Sequence, residues 1–143
     1  MPYRYLEEVA TADVAFEAWG ETLEEMFIAA ADATVNVMVD DLETLAEQVK
    51  RPLEADAETV EMLLFAVLQE LIYLKDAEGL LLRLVRAGIS SLDGGYRFAG
   101  EARGEAIDAA RHELLADVKA VTLHRFRVEK VSGGWETMVI LDV

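Results

Sequence analysis

The sequence predicts one α+β domain, residues 1–143, with a mixed or antiparallel β-sheet of about six to seven strands and two α-helices packed on one face. Three observations predict it. Two long segments, 22–38 and 56–76, carry apolar residues at three- and four-residue steps, the period of a helix. The segments after residue 80 alternate apolar and polar residues with period two and are joined by Asp93-Gly94-Gly95 and Ser132-Gly133-Gly134, both hairpin signals. The 143 residues are 53% hydrophobic, enough to bury a substantial core in one unit, and contain no internal repeat or linker.

Taken in order, Tyr3 to Glu8 reads as a short strand, and Val14, Phe16 and Ala18 alternate with Ala15 and Glu17 as a half-buried one closed by Gly20. Thr22 and Glu25 have the spacing of a capping box, in which each residue's side chain satisfies the other's free N–H. The helix they start presents Leu23, Met26, Phe27, Ala30, Thr34, Val37 and Met38 as one stripe. Asp40 and Asp41 end it, since negative charge opposes the dipole at a helix C-terminus. Residues 45–55 read as a strand, and Pro52, which cannot donate to a ladder, assigns it to a sheet edge. Asp56 is the expected cap of the second helix and Gly79 its stop. Val60, Leu63, Leu64, Val67, Leu68, Leu71 and Ile72 form its core stripe. Met62, Phe65, Ala66 and Leu74 widen that stripe beyond what one sheet covers, so this helix is central or shares its second face with a partner. Leu80–Leu92 is a strand with a bulge suggested by Arg83 and Arg86, and Tyr96–Gly104 is its alternating hairpin mate. A loop over 106–117 leads into a strand at 119–130, and Trp135–Val143 is the last strand.

Composition narrows the function classes. With no cysteine, thiolate catalysis, disulfides and cysteine-based zinc sites are excluded. The formal net charge of −15 leaves no extensive basic groove for a phosphate backbone, so direct nucleic-acid binding is not expected. Arg125, Arg127 and Lys130 read as a solvated strand face. The apolar run around Val60–Leu74 is broken by Glu61, Gln69 and Glu70, and the N-terminus lacks a basic-then-apolar pattern, so a protein of the cytoplasm, neither membrane-bound nor secreted, is expected. The acidity suits attraction to a basic protein or a divalent cation.

The polar chemistry gathers in His112–His124, which holds both histidines. His124 shares a strand face with Phe126 and Val128 and is expected to be partly buried as a hydrogen-bonded structural residue; His112, beside Glu113, is expected to be the more exposed one. No second histidine stands at metal-ligand spacing, no nucleophile elbow is present, and the glycine pairs are hairpin turns rather than a phosphate loop. Asp142 at the end of Met138–Leu141 and Asp13 at the start of an apolar strand read equally as exposed strand-end polarity or as ligands, since an apolar strand has no folding need for a carboxylate there. Together with a backbone carbonyl they would suit a hard divalent cation. Glu70, within the second helix, reads as a polar anchor.

Thr11-Ala12-Asp13-Val14, Gly20 with Thr22-Leu23-Glu24-Glu25, Glu70-Leu71-Ile72-Tyr73-Leu74, Gly104-Glu105, His112-Glu113-Leu114, Val118-Lys119-Ala120-Val121-Thr122 with His124, and Ile140-Leu141-Asp142-Val143 together resemble the archease family, in order and over nearly the whole chain. The resemblance implies a small non-enzymatic protein that activates the RNA-splicing (tRNA) ligase joining 2′,3′-cyclic-phosphate or 3′-phosphate ends to 5′-hydroxyl ends, promoting its guanylylation and multiple turnover. It implies a divalent cation, Ca2+ or Mg2+, on Asp13, Asp142 and the carbonyl of Leu141, with Glu70, His112, Lys119 and His124 as candidate neighbours. Two departures from the family pattern stand out. Ala10 replaces the histidine before Thr-Ala-Asp, and Val67-Leu68-Gln69-Glu70 replaces Trp-Leu-Asn-Glu. Two alternatives come from other classes: a metal-dependent phosphoester hydrolase using Asp13, Asp142 and His124, and a general chaperone docking through the wide apolar face of the second helix.

Overall fold

The computed structural model describes residues 2–7 and 13–143. Its strands are β1 (Tyr3–Leu6), β2 (Asp13–Gly20), β3 (Val49–Ala57), β4 (Leu80–Leu92), β5 (Gly95–Ala106), β6 (Ala120–Val131) and β7 (Gly134–Asp142); its helices are α1 (Leu23–Met38) and α2 (Val60–Glu78). Every pairing is antiparallel. The seven strands form two sheets, ordered β1-β2-β7-β6 and β3-β5-β4. Both helices lie between them: α1 packs on β2 and β7 of the first sheet and β4 of the second, α2 on β6 and on β3, β4 and β5.

This layering explains the two helical patterns. In α1, Ala29, Ala30, Ala31 and Ala33 are all buried, because small side chains let a helix approach a sheet on either side. Phe27 crosses to the second sheet and stacks on Phe98, with ring centroids 5.9 Å apart. The broad apolar surface of α2 is likewise divided between two sheets. Its central position, one of the two possibilities left by the sequence, removes the need for a partner to cover it.

The local signals mostly hold. Thr22 caps α1 by accepting the Glu25 N–H at 3.1 Å, but the Glu25 carboxylate reaches back to the N–H of Glu21 rather than that of Thr22. Asp56 does not cap α2. It lies in β3 paired to Arg97, and Thr59 caps the helix instead by accepting from Met62, since β3 runs to Ala57. Gly79 ends α2 at φ 66°, a left-handed conformation that favours glycine. Pro52 sits on edge strand β3, and β4 carries its bulge between Leu84 and Arg86. Gly104 in β5 is held by contact: a Cβ there would lie 1.9 Å from the Leu81 carbonyl oxygen.

β6 departs from the expected alternation. Its pairing with β7 breaks between Thr122 and Arg127, and Arg125 takes φ 55°. The excursion turns Phe126 onto Phe65 of α2 and leaves Leu123, His124 and Arg125 exposed. No helix among the described residues is long and apolar enough to cross a membrane.

Candidate functional site

The site is built where β2, β7 and β6 meet at one end of the four-stranded sheet. Asp13, the first residue of β2, lies directly opposite Asp142, the last of β7, and Asp142 in turn faces Ala120 of β6. Directly opposed residues in an antiparallel pair project to the same side, with Cβ atoms about 4.5–5.5 Å apart. Like charges so placed repel. Among the described residues neither carboxylate has a hydrogen bond or an ion pair from a basic side chain, and both are half-exposed. On the same face Thr122, opposite Ile140, has a buried hydroxyl with no hydrogen-bond partner among the described residues. The two unpaired carboxylates offer oxygen donors, which fit a hard divalent cation. Leu141 buries its side chain in the core, so only its backbone could contribute a donor. No third histidine, aspartate or glutamate joins the pair among the described residues, which leaves the rest of any coordination shell to backbone and water. The position of Ala10 falls outside the described residues.

The stretch from Asp108 to Lys119 delivers β6 to this end, pinned at successive points. Asp108 starts a turn, its carboxylate accepting from the Ala110 N–H and its carbonyl from the His112 N–H at 2.8 Å. Leu115 and Ala116 then donate to the carbonyls of Met38 and Val37 at the end of α1. Lys75 of α2, though 8% exposed, follows with bonds to the Asp117 carboxylate and, at 2.7 Å, the Val118 carbonyl. Burial alone would lower the Lys75 pKa; the bonds to Asp117 and Asp76 outweigh it and hold the ammonium above its ordinary value. Last, the Lys119 N–H donates to the Asp142 carbonyl at 2.8 Å, placing Lys119, with an exposed side chain, beside the carboxylate pair.

The two histidines exchange the roles expected of them. His112 is 2% exposed: its Nδ1 accepts from the Asp108 N–H and its Nε2 faces the Glu105 carboxylate at 3.0 Å. Glu105, itself buried, also accepts from Arg111 and from the Ala46 N–H; the Arg111 guanidinium first, then these N–H donors, hold its pKa at about 2. This network fixes the loop. His124 is exposed, because the break in β6 turns it out of the pattern that was to bury it. Glu70 is exposed on α2. Its neighbour Gln69, singled out only as a departure from the family pattern, is the working residue: its Oε1 accepts the Val121 N–H at 2.8 Å and ties α2 to β6.

Comparison with known proteins places the chain in a family. Residues 3–143 match the Archease protein family (MTH1598/TM1083). This chain belongs to the archease family. It is 37% identical to the archease of Pyrococcus furiosus and 39% identical to that of Thermococcus gammatolerans, each over 93% of this chain and 94% of the relative. The solution structure of protein 1598 from Methanobacterium thermoautotrophicum matches 99% of both chains at 32% identity with a TM-score of 0.85. An archease and possible chaperone from Thermotoga maritima shares the fold at 19% identity, covering 94% of this chain and 93% of its own, with a TM-score of 0.56.

Proposed function

We propose that this archease-family chain is a non-enzymatic activator of an RNA-splicing (tRNA) ligase, acting on the partner's guanylylation and turnover. The observation that carries the reading is the direct opposition of Asp13 and Asp142, contributed by two separate family motifs and left without basic partners among the described residues. Asp13, Asp142 and the Leu141 carbonyl would hold a divalent cation, Ca2+ or Mg2+, which when bound offsets their charge and supplies a Lewis-acidic centre at the surface. The chain's own residues orient the carboxylates. Antiparallel register sets their spacing, the Lys119 N–H holds the Asp142 backbone, and Gln69 secures β6 beside them.

Charge supports a protein partner over RNA. Arg4, Arg51, Arg83, Arg97, Arg103 and Arg127 are each ion-paired to a carboxylate of this chain, which reduces the positive charge they offer to phosphate. The hydrolase alternative lacks support, since His124 does not complete a three-ligand cluster with Asp13 and Asp142 among the described residues. A chaperone-like role draws on one observation, the exposure of Leu114 (44%) and Leu115 (56%) in the loop before β6.

The test is formation of the ligase–GMP adduct by the cognate ligase, with and without this chain. Stimulation by the native protein and its loss in Asp13→Ala with Asp142→Ala is the expected result. Absence of any stimulation removes the ligase reading; full stimulation by the double variant removes only the role of the carboxylates.

A further inference from the structure

A second surface lies along α1 and begins at the far end of β2 from the carboxylate pair. From Asp13 to Gly20, β2 extends eight residues, so its far end lies roughly 23 Å from the carboxylate pair. There Trp19, 38% exposed, walls a cleft of 460 Å³ with Pro2, Gly20, Ile28 and Ala29, under the carboxylates of Glu21, Glu25 and Asp32. A second cleft of 350 Å³ shares Pro2 and Asp32 with the first and continues along α1 past Asn36 to Asp40, Asp41 and Glu43. The two make one groove following the 16 residues of α1, about 24 Å long.

The groove has an apolar floor at one end and a rim of one sign. Its one basic lining residue among those described, Arg83, is already taken: its guanidinium bonds both oxygens of Asp32, at 3.1 and 3.0 Å, and reaches Glu43. Glu25 accepts from the Glu21 N–H and Asp41 from the Glu43 N–H, so both serve the fold. The side chains of Glu21 and Asp40 have no partner among the described residues and stand near the two ends. We propose that this groove docks an extended, arginine- or lysine-bearing segment of a partner protein. One apolar side chain sits against Ile28 and Ala29, and cationic side chains lie along the rim between Glu21 and Asp40. A span of about 24 Å corresponds to about seven residues of extended chain. Neither Asp13 nor Asp142 lines the groove, and the proposal does not depend on the partner being a ligase.

The test uses the full chain and a capped peptide of seven residues, with leucine at each end and arginine at alternate positions between, followed by 15N–1H correlation spectroscopy. A matched peptide with glutamine for arginine is the control. The expected result is saturable shifts at backbone amides from Trp19 to Asp41, weakened by added salt. Glu21→Gln and Asp40→Asn, which break no contact of the fold, each weaken binding by about threefold. Equal binding of the glutamine peptide, shifts spread over other acidic surfaces, or unchanged affinity in Glu21→Gln and Asp40→Asn overturns the proposal. Groove shifts that grow with protein concentration in the absence of peptide also overturn it, since the occupant is then a second copy of the chain.

Discussion

Replacing Asp142 by Asn separates the electrostatic consequence of the site from its folding role. The substitution keeps the shape of the side chain and the backbone carbonyl that accepts from Lys119, and removes one of two opposed charges. For unit charges at about 5 Å, the Cβ spacing of opposed residues, repulsion is about 0.8 kcal/mol in water and about 3 kcal/mol at an effective dielectric constant of about 20. Both groups are half-exposed, so the lower part of that range applies, about 1 kcal/mol. Unfolding entropy scales with chain length, and for 143 residues 1 kcal/mol moves the thermal midpoint by about 3 °C. In chelator, therefore, Asp142→Asn is expected to melt about 3 °C above the native protein. In Ca2+ or Mg2+ at about 100 times its dissociation constant the order reverses, because a cation bound to the folded state adds about 2.7 kcal/mol, or about 9 °C, to the native protein alone. Differential scanning calorimetry with chelator, Ca2+ and Mg2+ makes the measurement. A variant less stable than the native protein in chelator, or a native midpoint indifferent to both cations, refutes the reasoning.

Three further outcomes follow from the packing. Glu105 has its pKa held at about 2 against an ordinary 4.5, so its contribution to stability is complete above about pH 4.5 and is lost as pH falls toward 2. Urea midpoints across that range are expected to fall less steeply in Glu105→Gln, and an unchanged slope would count against the network. Gln69→Ala leaves the Val121 N–H without its acceptor and is expected to destabilise by about 1–3 kcal/mol, with faster hydrogen exchange concentrated at Val121. Phe27→Ala, at a fully buried ring stacked between α1 and β5, is expected to reduce stability by about 3–5 kcal/mol in denaturant titration.

What was legible in the sequence depended on near neighbours in the chain. The capping residue Thr22, the left-handed stop at Gly79, the two glycine turns, edge strand β3 with its proline, and the bulge in β4 each follow from a few adjacent residues whose backbone preferences are strong. The order of motifs placed the chain in its family for the same reason, as a linear pattern. Asp13 and Asp142 could be picked out one at a time as carboxylates with no folding purpose. That they face each other is a property of antiparallel register between the second strand and the last, which no local spacing encodes.

The histidines mark the same boundary. Alternation assigned His124 to the buried face and the polar loop assigned His112 to solvent, and the structure reverses both. The register break after Thr122 is set by contact with α2, where Phe126 meets Phe65, and Glu105 buries because Arg111, His112 and the Ala46 N–H converge on it from across the fold. The width of the apolar surface on α2 was visible, but not what covers it. A helix enclosed by two sheets and one covered by a partner have the same periodicity. By itself the sequence determined the elements, their caps and turns, the acidic charge and the family pattern. Only the tertiary structure decided the division into two sheets around the helices, the opposition of Asp13 to Asp142, and which histidine is buried, because each depends on contacts between residues far apart in the chain.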